Sequence, residues 1–271
     1  MSIVSVSSVR VAGGFPSDLI SDSDIESSLS VVEEYAERSM NTFFVPVKRM
    51  ETFDGTNTEL FYALKNPVLR VDYLESYSNV LDLDSFEVDR ESGRIRLKGN
   101  ASISRFFGKQ SGIKVVYWTA FLVPSKDFCV VSSDVSKGVG VVISVDDASD
   151  LSEGDWVHIS SNDGVWTSAK ITSIVGNDVT VDNLVVDISS GSSVFKLSVP
   201  SYVKRLIELE AVIYLALNAI GATYVFNASY SLGDLNVTKG VPYTHWRESL
   251  EKAIKERNTL KSIIKPRFKV M

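Results

Sequence analysis

A chain of 271 residues with ordinary apolar content suits about two domains of usual size, each large enough to bury a core, and excludes a globally disordered polymer. A single cysteine, Cys129, excludes an internal disulfide, so stability does not depend on an oxidising compartment. The net charge of −6 is unevenly spread: residues 125–198 hold four lysines, no arginine and eleven acids, which makes that segment −7 and leaves +1 for the rest.

The opening residues, Met1-Ser2-Ile3-Val4-Ser5, show neither the basic start nor the apolar run of a secretory signal, so a chain assembled in the cytoplasm is expected. The first predicted element is a helix over residues 23–39. Ser23-Asp24-Ile25-Glu26 fits a capping box, and Ile25, Leu29, Val32 and Ala36 recur at helical spacing. From Phe43 to Phe121 the pattern is that of strands and turns. Asp54-Gly55 marks a turn, "PVLRVDYLES" alternates, "FEVDRESGRIRLKG" reads as strand, Gly93 turn, strand, and "GIKVVYWTAF" reads as a buried strand.

Residues 128–198 carry six short β-branched runs divided by turn clusters such as Asn162-Asp163-Gly164 and Gly176-Asn177-Asp178, which predicts a small antiparallel barrel or sandwich. After Pro200 the helical period returns with apolar residues nearly all round the helix, and such a helix must be covered on every side, by its own core or by neighbouring subunits. The uncharged stretch 211–233 is interrupted by Asn218, Gly221, Thr223, Asn227 and Ser229, so its apolar run falls short of the ~18–20 residues a bilayer needs, and a buried helix is expected. A last helix runs from Thr244 to Ile264 and stops at Pro266. Past Glu256 there is no acid, and Lys261, Lys265, Arg267 and Lys269 alternate with Phe268 and Val270, which predicts either a solvated tail or a docking arm.

Chemistry-bearing patterns are few. His158 and His245 have no second ligand at metal spacing, and Cys129 has no base beside it. "KGVGVV" lacks the third glycine of a dinucleotide loop, "FFGKQSG" departs from a phosphate-binding loop, and "VDDASDLSEGD" does not match an EF-hand. No basic–aromatic interleaving suggests nucleic-acid readout. A binding or structural protein is therefore favoured over an enzyme, with no cofactor and no metal expected.

Val-Pro-Ser occurs twice, at Val123-Pro124-Ser125 and Val199-Pro200-Ser201, on either side of the acidic β-rich segment. With that segment lifted out, the remainder resembles the head–tail adaptor (connector) proteins of tailed bacteriophages. The likeness is carried by "LISDSDIESSLSVVEEYAERSM", by "FFVPVKRMETFDGTNTELFYALKNPVLRVDYLES", by the "FEVDRESGRIRLKG" hairpin, and by "GIKVVYWTAFLVP" leading into "VPSYVKRLIELEAVIYLAL". The resemblance implies an α+β fold: a helical adaptor domain of three main helices plus short β-strands, built from residues 1–124 and 199–271. A small antiparallel β-barrel or sandwich, residues 125–198, would be inserted into it.

The function so implied is a structural protein of the virion neck. Copies would form a ring, by resemblance a dodecamer, between the portal protein and the tail or stopper protein, and genomic DNA would pass through the lumen without sequence-specific binding. No membrane partner is expected. By the same resemblance Lys261, Lys265, Arg267, Phe268, Lys269 and Val270 would form a portal-docking arm. Leu206, Val212 and Leu217 on one helix, and Leu250, Ile254 and Leu260 on the other, would pack within and between subunits. A second reading is a fibre- or adhesin-type module whose β-barrel binds sugar, with Trp156 and Trp166 as stacking residues.

Overall fold

The structure is a computed structural model and describes residues 3–264 except 16, 18, 19, 100, 107, 109, 162, 163, 225–230, 233, 234 and 237–242; the side chains of 219–249 and 262–264 are also outside the description. It divides into two compact units: residues 1–41 with 200–271, and residues 42–199.

The first unit is helical. Its elements are α1 (Val6–Gly13), α2 (Asp22–Met40), α3 (Ser201–Tyr224) and α4 (Tyr243–Ile264). Sequence reasoning missed α1, although its signals are present: the Ser5 hydroxyl accepts from the Ser8 N–H, and Gly14 closes the helix at φ 62°. On α2 the capping box lies two residues before the expected one. The Ser21 hydroxyl accepts from the Asp24 N–H, and the Asp24 carboxylate accepts from the Ser21 N–H, so an aspartate at the third helical position does the work expected of Glu26. α2 buries Ile25, Leu29, Val32 and Ala36, the face its spacing predicts. α3 touches each of the other three helices, which is why Val203, Ile207, Ala211, Val212 and Ala216 can all be buried around its circumference. Pairs of Arg205 with Glu256, and of Arg257 and Lys261 with Glu210, tie α3 to α4.

Among the described residues the second unit holds thirteen strands in three antiparallel sheets. The first seven strands are β1 (Val47–Phe53), β2 (Leu60–Tyr62), β3 (Val68–Ser76), β4 (Asn79–Val80), β5 (Phe86–Asp89), β6 (Arg94–Leu97) and β7 (Ile113–Thr119). They form two sheets, ordered β1-β7-β3-β4 and β2-β6-β5. Phe61 and Ile95 of the smaller sheet meet Leu74, Ile113 and Tyr117 of the larger one in a single core completed by Phe106, so this half is a two-layer sandwich. The remaining strands are β8 (Val123–Val130), β9 (Gly138–Ser144), β10 (Trp156–Ser160), β11 (Trp166–Val175), β12 (Asp178–Leu184) and β13 (Ser193–Ser198), in the order β8-β13-β10-β11-β12-β9. A bridge between Val131 and Val145, with Ser132 N–H on Ser144 O and Asp146 N–H on Val130 O, joins the two ends of that order and closes the sheet into a barrel. Ile143, Val157, Ile159, Ile171, Val181 and Val194 fill it. A last pair of two-residue strands, β14 (Ser231–Leu232) and β15 (Leu235–Asn236), lies between α3 and α4 in sequence.

This corrects the expected fold class. Among the described residues the protein is mainly β, with four helices, and is not a helical adaptor domain of three main helices plus short strands carrying a small insertion. The physical reason lies in residues 42–121. Their alternation builds two stacked sheets with a core of their own, and that sandwich packs on the barrel through Leu69, Ala120, Leu122, Trp156 and Leu197. The compact units part at 41/42, far ahead of the boundary 124/125 expected from the repeated Val-Pro-Ser, and at 199/200, next to the expected 198/199. Val123 pairs with Ser198 and Pro124 with Leu197, so the first copy of the repeat begins β8 and the second follows directly after its neighbour β13.

Candidate functional site

Within the β unit, sandwich and barrel are held by one buried cation. Arg70, on β3, is 2% exposed at its side chain, and its guanidinium donates to Asp182 of β12 through two parallel contacts of 2.9 and 2.8 Å. It also donates to Asp72 Oδ1 at 2.8 Å and to the carbonyls of Asn183 and Ser168 at 2.8 and 3.2 Å. Asp72 in turn accepts from Trp118 Nε1 at 3.0 Å and pairs with Lys48, while the Arg70 guanidinium lies 5.3 Å from the Trp156 ring. Burial alone would push this guanidinium toward neutrality, but Asp182 and Asp72 outweigh it and raise its pKa; on the other side of the pair, burial of Asp182 is outweighed by the bonds from Arg70, which lower its pKa.

Beside this clamp lies an open cleft of about 610 Å³. The sandwich supplies Phe86, Asp84, Glu87 and Asp89, and the barrel supplies Trp166, Val165 and Asp187. Lys137 links the two walls: its Nζ lies 3.3 Å from Asp84, and its N–H donates to Asp187 Oδ1 at 2.8 Å. Trp166 is half-buried against His158, with ring centroids 5.6 Å apart. Trp156, the other stacking residue expected from the sequence, is 5% exposed and packs on Trp118 at 5.0 Å, so it is a core residue and is closed to any ligand.

His158 stands on β10 with Nδ1 buried and without a hydrogen-bond partner. Burial, and then the nearby Arg90 charge, hold its ring at a pKa of about 4. Cys129 is buried in the barrel core, where burial and then Asp146 push its thiol up to about 11, so it is a small apolar filler and not a nucleophile. Among the described residues no group of three His, Cys, Asp or Glu is arranged to hold a metal ion, and no helix is long and apolar enough to cross a membrane.

The helical unit presents a second surface. Leu206 and Val212 are buried inside it; Ile254, Leu250 and Leu260 are half-buried on α4; Leu217 is 54% exposed. Tyr214, one turn before Leu217 on the same face of α3, is also exposed, as are Val31 and Tyr35, one turn apart on α2. Lys261 of α4 reaches both α3 and α2: its Nζ is 2.5 Å from Glu210 and 5.9 Å from the Tyr35 ring centroid. Of the six residues expected in a docking arm, Lys261 is therefore engaged inside its own helical unit, while Lys265, Arg267, Phe268, Lys269 and Val270 lie outside the described residues. Sequence reasoning singled out Leu217 but not Tyr35 or Tyr214, whose only signal is an aromatic ring on the wet side of an amphipathic pattern.

No protein-family model matches the chain, and no curated protein matches it.

Proposed function

We propose that the chain is a ring-forming head–tail adaptor of a tailed-bacteriophage neck, lying between the portal protein and the tail or stopper and extending the channel through which DNA passes. The observation that carries the reading is a pair of exposed apolar rows on one helical unit, Val31 and Tyr35 on α2 and Tyr214 and Leu217 on α3. Large side chains spaced by helical turns and left open to water mark a surface that another protein covers. A further opening of about 470 Å³, between α1 and α2 and lined by Val4, Val6 and Leu29 together with Glu26 and Glu33, offers a different surface on the same unit. A patch on one copy that fills a different pocket on the next is a head-to-tail contact, and such contacts close into rings when the rotation allows. A stable contact of this kind buries on the order of 800 Å² per partner.

Outside residues 125–198 the charge is only +1, and a near-neutral channel wall would let DNA pass, because a basic lumen would bind phosphates by releasing their counterions and hold the DNA. The basic and apolar residues from Lys265 to Val270 would then serve as the arm that docks into the portal. Negative-stain imaging and native mass spectrometry of the full chain, with and without a portal, test the reading. Closed rings are expected from the native protein, and folded single subunits from Leu217→Asp. A native chain that stays monomeric even with portal would overturn it. Removing residues 265–271 should leave the fold intact and abolish portal binding.

A further inference from the structure

We propose that the cleft between the sandwich and the barrel is a binding site for a neutral oligosaccharide. The site is separate from the ring-forming surface and does not rest on the adaptor reading. Its volume of about 610 Å³ lies inside the range of ligand pockets, and all of its walls belong to one compact unit locked by Arg70 and Asp182. Its apolar lining includes Val71, Phe86 and Val88 from the sandwich and Val165 from the barrel. Trp166 opens into the cleft while the rest of its ring is fixed against His158, which gives a large flat surface already held in place.

The rim selects the ligand class. Asp84, Glu87, Asp89 and Asp187 stand against Arg94, Lys98 and Lys137, so the signs nearly balance, and Arg70 is already neutralised by its own carboxylates. A polyanion would meet the four carboxylates and a polycation the three bases, each at a cost of like-charge repulsion. A sugar meets neither penalty. Its C–H face covers an indole, its hydroxyls donate to carboxylates, and its ring and hydroxyl oxygens accept from lysine and arginine. The barrel alone cannot provide this, because Trp156 is buried and only one wall comes from barrel strands; the ligand requires both β layers.

The test is a printed array of neutral oligosaccharides, acidic glycans and peptides probed with the full chain, followed by titration calorimetry with the strongest neutral hit. Saturable binding to a neutral glycan is expected, weakened about tenfold or more in Trp166→Ala, where a stacking ring is lost, and weakened also in Asp187→Asn. Phe128→Ala, which removes an exposed aromatic outside the cleft, should leave the titration unchanged. If Trp166→Ala does not fold, the Asp187→Asn titration decides in its place. Failure of every neutral glycan to bind, binding only to sialylated glycans or to peptides, or unaltered affinity in the cleft variants would overturn the proposal. Ring imaging of the same samples reports on the adaptor reading independently.

Discussion

Arg70 and Asp182, 112 residues apart in sequence, meet through two parallel N–H···O contacts of 2.9 and 2.8 Å and join the sandwich to the barrel. Truncating one partner strands the other charge in a largely dry site. Arg70→Leu should lower unfolding free energy by about 3 kcal/mol, whereas Arg70→Met combined with Asp182→Leu should recover most of that loss. Urea denaturation of the two variants and the native chain measures both, and equal losses in the single and double variants would show that the pair is not the joint.

His158 should make stability depend on pH in a defined window. Its folded pKa of about 4 lies below the ordinary 6.5, because burial and Arg90 disfavour the imidazolium. The unfolded chain therefore takes up this proton before the folded one does. Stability is complete above pH 6.5 and falls as pH drops toward 4, by about 3 kcal/mol from this residue. The acids of the protein add a slope of their own, so the quantity to measure is the difference from His158→Gln, whose urea midpoints should decline less steeply between pH 6.5 and 4.

Cys129 should resist alkylation. With the thiol raised from 9 to about 11, the thiolate fraction near neutral pH drops about a hundredfold, before its burial is counted. Mass spectrometry after iodoacetamide treatment should find Cys129 unmodified in the native protein and modified in urea. Rapid labelling of the native chain would contradict the closed barrel core.

The cap of α2 can be located by substitution. Ser21→Ala removes the hydroxyl that accepts from Asp24 N–H and should cost about 1 kcal/mol, while Ser23→Ala, inside the first turn, should change stability by no more than about 0.5 kcal/mol. Thermal denaturation of the two variants compares them directly. The reverse order would restore the capping box at Ser23 and Glu26.

Much of the local structure was legible in the residues. Six β-branched runs became the six strands of the barrel, the Gly93 turn sits between β5 and β6 at φ 69°, and the faces of α2 and α3 follow their apolar spacing. The candidate cleft was legible only in part. Trp166 drew notice as an aromatic in a β segment, but nothing distinguished it from Trp156, because exposure depends on what packs across the strand. Trp118 and Leu69, which cover Trp156, come from a region read only as short strands.

Period and composition determined the elements by themselves, because a turn or an amphipathic face depends on neighbours a few residues away. The presence of α2, α3 and α4 and the acidic, β-rich character of residues 125–198 were legible at that level, whereas α1 and the start of α2 were not. Only the tertiary structure decided that residues 42–121 form a sandwich with its own core and share a unit with the barrel. That outcome rests on contacts between residues about a hundred positions apart, Arg70 with Asp182 foremost, and no local pattern encodes which buried charge will meet which.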